Sequence, residues 1–176
     1  MFLVSTVLFS LVLGLSDRLL VKSIRPHIHI IAVDEISASS GDVIRARVHF
    51  QNDGDAPIKR LENCEVAAIA RYTNDSAEQM NVENGIFESL VDSGICKSIP
   101  INDVPAHSIS LNSDFKGKSI LSAPVMDLVR NGTDAIYIMG FIPYGDKGAE
   151  HSSEYCYFTK GDVDGMKLCF VHNTEP

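Results

Sequence analysis

The run from Ala135 to Val171, AIYIMGFIPYGDKGAEHSSEYCYFTKGDVDGMKLCFV, constrains the fold more than any other part of the chain. A long apolar stretch ends at Tyr144, and a tight turn, Gly145-Asp146-Lys147-Gly148, follows it. The chain returns through His151 and Ser153 to Tyr155-Cys156, and a third extended piece carries Cys169. Runs of β-branched and aromatic residues separated by turn clusters predict three consecutive antiparallel strands, with a cysteine staple available between the last two. Ala135 to Ile142 is almost entirely apolar, so it reads as a central strand covered on both faces.

The rest of the chain repeats this grammar. Arg25 to Val33 starts behind Pro26 and reads as a first strand, and Ser37 to Asp42 is a turn. From Val43 to Gln51 the residues alternate: Ile44, Ala46, Val48 and Phe50 take one face, Arg45, Arg47 and His49 the other. Period two with one charged face is the signature of a half-buried antiparallel strand. The turn Asn52-Asp53-Gly54-Asp55-Ala56-Pro57 leads into extended structure from Ile58 to Arg71. Tyr72 to Asn84 reads as a polar surface excursion, Ile86 to Leu90 as a short strand or turn, and Cys96 to Ile101 fits neither class firmly. Val104-Pro105-Ala106-His107 introduces a strand over Ser108 to Phe115. Ser122 to Arg130 is the best helix candidate, with Ser122 as cap, Pro124 in the first turn and Asn131-Gly132 as stop. About seven short strands with regular turns predict a mainly β fold, an immunoglobulin-like antiparallel β-sandwich with one short helix.

The first 16 residues, MFLVSTVLFSLVLGLS, carry no charge. A spanning helix needs about 20 apolar residues, and a signal-peptide core about 7–15. The length suits a signal with cleavage before Asp17, but no basic residue precedes the apolar core. The leading expectation is an N-terminal apolar helix that anchors the chain in a membrane; a cleaved signal and a segment of neither kind are the alternatives. The division is then anchor or signal 1–16, linker 17–24, β-sandwich 25–172 and tail 173–176. Arg18, Lys22 and Arg25 favour a cytoplasmic flank by the positive-inside rule. Four cysteines beside an export-like segment favour the oxidising side, and the balance tilts slightly outward. The 23 acidic against 15 basic residues give a net charge of −8, which argues against nucleic-acid partners.

Two segments carry a resemblance. Arg25-Pro26 with the turn Asn52 to Pro57 is similar to an N-x-G-x-x-P junction. Tyr144, Asp146, Gly148, His151, Ser153, Tyr155 and Cys156 follow the order tyrosine, acid, glycine, histidine, small hydroxyl, aromatic-cysteine. Both resemble small bacterial membrane-anchored proteins of uncharacterised function with a C-terminal immunoglobulin-like domain, over roughly residues 25 to 172. The turn between Asp146 and His151 is one residue shorter than that pattern, and the usual basic helical linker is nearly missing. The resemblance implies a membrane-anchored β-sandwich and supplies no catalytic residue.

Chemistry-bearing groupings are weak. Cys156 and Cys169 on consecutive strands are a candidate disulfide, and Cys64 with Cys96 a less firmly placed one; buried thiols are the alternative. Cys156, Cys169 and His151 or His172 lack the close ligand pairs of a zinc site. His27, His29 and His49 could meet on adjacent strands, although a solvated polar face is the plainer reading. Asp162-Val163-Asp164-Gly165 starts like a calcium loop without the remaining ligands and reads as a turn. Asp146 or Glu150 beside His151 would make an acid-base cluster, for which a hydrophilic hairpin tip is the simpler account. Asn74-Asp75-Ser76 and Asn131-Gly132-Thr133 are glycosylation sequons by pattern. No nucleophile signature or phosphate loop is present. The expectation is therefore a non-enzymatic domain without metal or cofactor. Its partner would be another membrane or envelope protein, met along an edge strand. The alternative is a secreted or periplasmic ligand-binding domain released by signal cleavage.

Overall fold

Two antiparallel sheets face each other, and a helix covers the far side of the larger one. The computed structural model describes residues 25–93, 96–99, 104–108, 111–145, 151–161 and 165–173. Along the chain run β1 (Ile28–Ser37), β2 (Val43–Asn52), β3 (Arg60–Arg71), α1 (Ser76–Ser93), β4 (Cys96–Ser98), β5 (Leu111–Ile120), α2 (Ala123–Arg130), β6 (Asp134–Gly145), β7 (His151–Thr159) and β8 (Lys167–Leu168). The smaller sheet has the order β1-β2-β5 and the larger the order β4-β3-β6-β7-β8. The expected segments 1–24 and 174–176 lie outside the described residues, as do Asp146 to Glu150 and Asp162 to Asp164. Among the described residues no helix is long and apolar enough to cross a membrane.

Alternation builds the core. On β2, Ile44, Ala46, Val48 and Phe50 are buried against the larger sheet, while the charged residues between them face solvent. Strand β6 is buried on both faces, as its apolar sequence requires. Ile136, Ile138, Ile142 and Tyr144 join the core between the sheets. Ala135, Tyr137 and Met139 point the other way, into a second cluster with Val82, Ile86 and Phe87 of α1. The third C-terminal strand is only two residues long, and Cys169 follows it rather than lying on it.

The main correction concerns α1. Residues read as a polar excursion followed by a short strand or turn form an 18-residue helix, so the described chain has two helices rather than one. Its start is set by Asp75, whose Oδ1 accepts the N–H groups of Ala77 and Glu78 at 2.9 and 3.0 Å. The buried face runs Gln79, Glu83, Leu90 with Ile86 and Phe87 between, so two of its anchors are polar and the apolar period is masked. Gly85 in mid-helix lowers the propensity further. Smaller corrections follow. Strand β5 begins at Leu111, later than expected, and the ambiguous stretch at Cys96 is the short strand β4. Ser122 occupies the N-cap of α2 but makes no side-chain cap bond. The stop is as expected: Asn131 ends the helix and Gly132 takes φ +77°.

Both cysteine pairs are disulfides. Cys64 and Cys96 are direct cross-strand partners with Cα atoms 4.1 Å apart. Cys156 on β7 holds Cys169, and the Cys169 amide also donates to the Cys156 carbonyl at 3.0 Å. Each bridge joins neighbours on one sheet rather than crossing the sandwich.

Candidate functional site

The residues singled out from the sequence divide into structural pins and one site residue. Asn52 is fully buried and accepts the amides of His27 and Gly54 while donating to the carbonyls of Ala56 and Pro105. A side chain at Gly54 would collide with the backbone of Arg25, Pro26 and His27, which is why that turn needs glycine. Tyr144 packs its ring on its register partner His151 at 5.5 Å. Ser153 donates to the Ile28 carbonyl at 2.6 Å and ties β7 to β1. Asp146, Gly148 and Glu150 lie outside the described residues, so the acid-base cluster at His151 is not assembled among them.

Among the described residues the candidate histidine and metal groupings do not come together. His27 pairs with Asp53, and His49 Nε2 with Asp34 Oδ1 at 2.8 Å. His172 is held by Glu154 and Asn84 and stacks on Phe87 at 3.9 Å. Cys156 and Cys169 are consumed by their disulfide, and no group of metal-ligating side chains comes together among the described residues.

Tyr155 leads to the cavity. Between the open sides of the two sheets lies a cleft of about 520 Å³, within the size range of small-molecule sites. A local irregularity opens it. In the β2–β5 ladder Arg45 pairs with Lys116 and Val43 with Ile120, so Gly117, Lys118 and Ser119 stand opposite Ile44 alone. Such a bulge bends its strand away from the partner. Gly117 lies on the Ile44 backbone, where a Cβ would come within 3.2 Å of the carbonyl oxygen. On the other side, β4 pairs with β3 only through Glu62, Asn63 and Cys64. Beyond Cys64 the β4 side of β3 has no ladder partner among the described residues. The cleft fills this gap, and Leu90 of α1 and Val125 of α2 also line it.

Its walls are mainly apolar, from Ile44, Ala67, Ile69, Phe115 and Leu121, and the polar Asn63 and Glu65 line its floor. Asn63 and Glu65 stand on the inner face of β3. Asn63 Nδ2 donates to Glu65 Oε2 at 2.7 Å and to Ser113 Oγ at 2.9 Å. The Tyr155 hydroxyl, fully buried, lies 3.3 Å from Asn63 Oδ1 and 3.2 Å from Glu65 Oε2. It reaches them because Gly140 is the residue between Glu65 and Tyr155 in the sheet register. A Cβ at Gly140 would stand 2.5 Å from the tyrosine oxygen and 2.5 Å from the Cys64 carbonyl. The missing side chain is thus the space through which the phenol crosses the strand.

The floor is electrostatically unusual. Burial lifts the Glu65 carboxyl above its ordinary pKa; bonds from Tyr155 and Asn63 and the charge of Lys97 oppose the rise, and Asp114 adds to it. Burial, followed by the Glu65 charge, drives the Tyr155 phenol well above its usual value. The carboxyl therefore holds its proton more firmly than an exposed one, and the phenol stays a donor. A desolvated carboxyl on an apolar floor marks a candidate binding site.

Asn63, Glu65, Lys97 and Gly140 were not picked out from the sequence. One signal was present: Leu61, Asn63, Glu65, Ala67 and Ile69 form the inner face of β3, and two polar residues interrupt it. Comparison with family models, curated proteins and solved structures finds no match to this chain.

Proposed function

We propose that this chain is an exported, non-catalytic binding domain that takes a small amphipathic molecule into the cleft between its sheets. The observation that carries this reading is the cleft itself: about 520 Å³ of mainly apolar space lined by the polar pair Asn63 and Glu65, which Ser113 and Tyr155 hold from behind. Two disulfides support a domain that matures in an oxidising compartment. The uncharged run at residues 1–16 then serves as the export signal or as a membrane anchor. The sheet orders β1-β2-β5 and β4-β3-β6-β7 parallel A-B-E and C′-C-F-G, which supports an immunoglobulin-like layout with β8 added. A purely protein-binding role along an edge strand is less favoured, because the unladdered side of β3 opens into the cleft rather than onto a flat face.

The chain has no Trp, so one placed at the exposed cleft-mouth residue Ile120 is a unique fluorescent reporter. Phenyl-substituted alkyl alcohols should shift its emission saturably. Ala67→Phe, which fills the cleft from β3, should abolish the shift while leaving circular dichroism unchanged. An equal shift in both proteins would refute the cleft as the binding site.

A further inference from the structure

The Glu65 carboxylate is satisfied on one side only. Oε2 takes the bonds from Asn63 and Tyr155, and Oε1 takes none among the described residues. Oε1 is not sealed off, because the one buried side-chain polar atom without a partner among those residues is His29 Nδ1. Glu65 lines the cleft, and Oε1 is its oxygen left without a bond among those residues. We propose that the occupant of the cleft is an apolar molecule bearing a protonated amine, which donates to Glu65 Oε1. The inference rests on the cleft being a binding site and specifies what that site selects.

The surroundings support a cation at this point. A carboxylate held in an apolar cavity is destabilised until a positive group replaces its lost water, and a charge-assisted bond is stronger than a neutral one. The groups acting on it are Tyr155 from β7, Lys97 from β4 and Asp114 from β5, with Lys116 of β5 also lining the cleft. Tyr155 is a neutral donor already used on Oε2. Asp114 adds negative potential, although Arg47 holds it at 2.7 Å. Lys97 is the natural competitor, yet it forms no ion pair with Glu65 among the described residues and acts only at a distance. A neutral alcohol could also donate to Oε1 but gains no charge pairing. A carboxylate ligand would meet Glu65 as a like charge.

The test uses the full oxidised chain in lipid nanodiscs, titrated calorimetrically against empty nanodiscs. The probes are 4-phenylbutylamine, 4-phenylbutanol and 4-phenylbutanoate, which share an apolar body. The amine should bind about tenfold or more tighter than the alcohol, in line with a hydrogen bond to a charged group, and the acid should bind weakest. Glu65→Gln should bring the amine to within about threefold of the alcohol, that margin being what a neutral hydrogen bond leaves. A measurement on the unmodified chain guards against a variant that fails to fold. Amine affinity should rise with pH as Glu65 loses its proton above its ordinary value of 4.5, while alcohol affinity stays flat. An amine no tighter than the alcohol, or an advantage that survives in folded Glu65→Gln, would overturn the inference and leave the cleft as a site. Binding of none of the three would overturn both.

Discussion

At the scale of single residues, the floor of the cleft is a compromise between packing and charge. Glu65 is kept on an apolar face by bonds to one of its oxygens, and its pKa is raised mainly by burial. A carboxyl with a raised folded pKa makes its full contribution to stability below its unfolded value of 4.5 and loses it as pH rises through the folded value. Glu65→Gln keeps an acceptor and removes that dependence. Its thermal midpoint should lie above that of the parent at pH 8 and lose this advantage toward pH 4, followed by calorimetry. A constant offset across the range would contradict the assignment. Gly140 is the second residue on which the floor depends. Gly140→Ala presses a methyl onto the Tyr155 hydroxyl and the Cys64 carbonyl. Overpacking of this kind should cost about 2–3 kcal/mol in chemical denaturation. The contact with the Cys64 carbonyl is with backbone, so Tyr155→Phe in the same chain should recover only part of the loss.

At the scale of elements, α1 is held to the larger sheet by polar anchors as well as apolar contact. Glu83 is fully buried and accepts Gln79 Nε2 at 2.9 Å, the Phe170 amide at 2.9 Å and the Val171 amide at 3.1 Å. Gln79 in turn donates to the Tyr137 hydroxyl at 2.8 Å, while the disulfide fixes Cys169 just before these amides. Glu83→Ala removes the shared acceptor of Gln79 and of the part-buried Phe170 and Val171 amides and should cost about 2–3 kcal/mol. Faster hydrogen exchange at Phe170 and Val171 would accompany that loss, and unchanged exchange there would show that the tail is held by the disulfide alone. Strands were far more legible than this helix. Ile44 to Phe50 alternates without exception, and Ala135 to Ile142 is almost entirely apolar, so period and composition carry β2 and β6. In α1 the repeat falls on Gln79 and Glu83, whose burial depends on partners from β6 and from residues 170–171, which lie 58 and 87–88 residues away in the chain. No local pattern contains that information. The Cys156–Cys169 pair is legible because consecutive extended segments carry the two cysteines, whereas Cys64–Cys96 is a weaker candidate because the sequence places neither of its strands firmly. The cleft was not, since it depends on a register shift at Ile44 and on how far β4 extends along β3.

At the scale of the whole molecule, two thin sheets share one core, and a second core lies between the larger sheet and α1. The disulfides reinforce this arrangement at the side and end of the larger sheet. Spanning separations of 32 and 13 residues, they contribute about 4 and 3 kcal/mol respectively in the chain-entropy model. Neither bridge spans the gap between β3 and β5, where the cleft lies. Occupancy of that cavity can be read directly by methyl spectroscopy of the full oxidised chain as 4-phenylbutanol is added. Resonances of Ile44, Ile69, Leu90 and Val125, which line the cleft, should move together and saturate, while those of Val33 and Ile136 in the closed core stay fixed. Silence at the four cleft residues, or equal movement in the closed core, would mean that the space between the sheets is not a binding site.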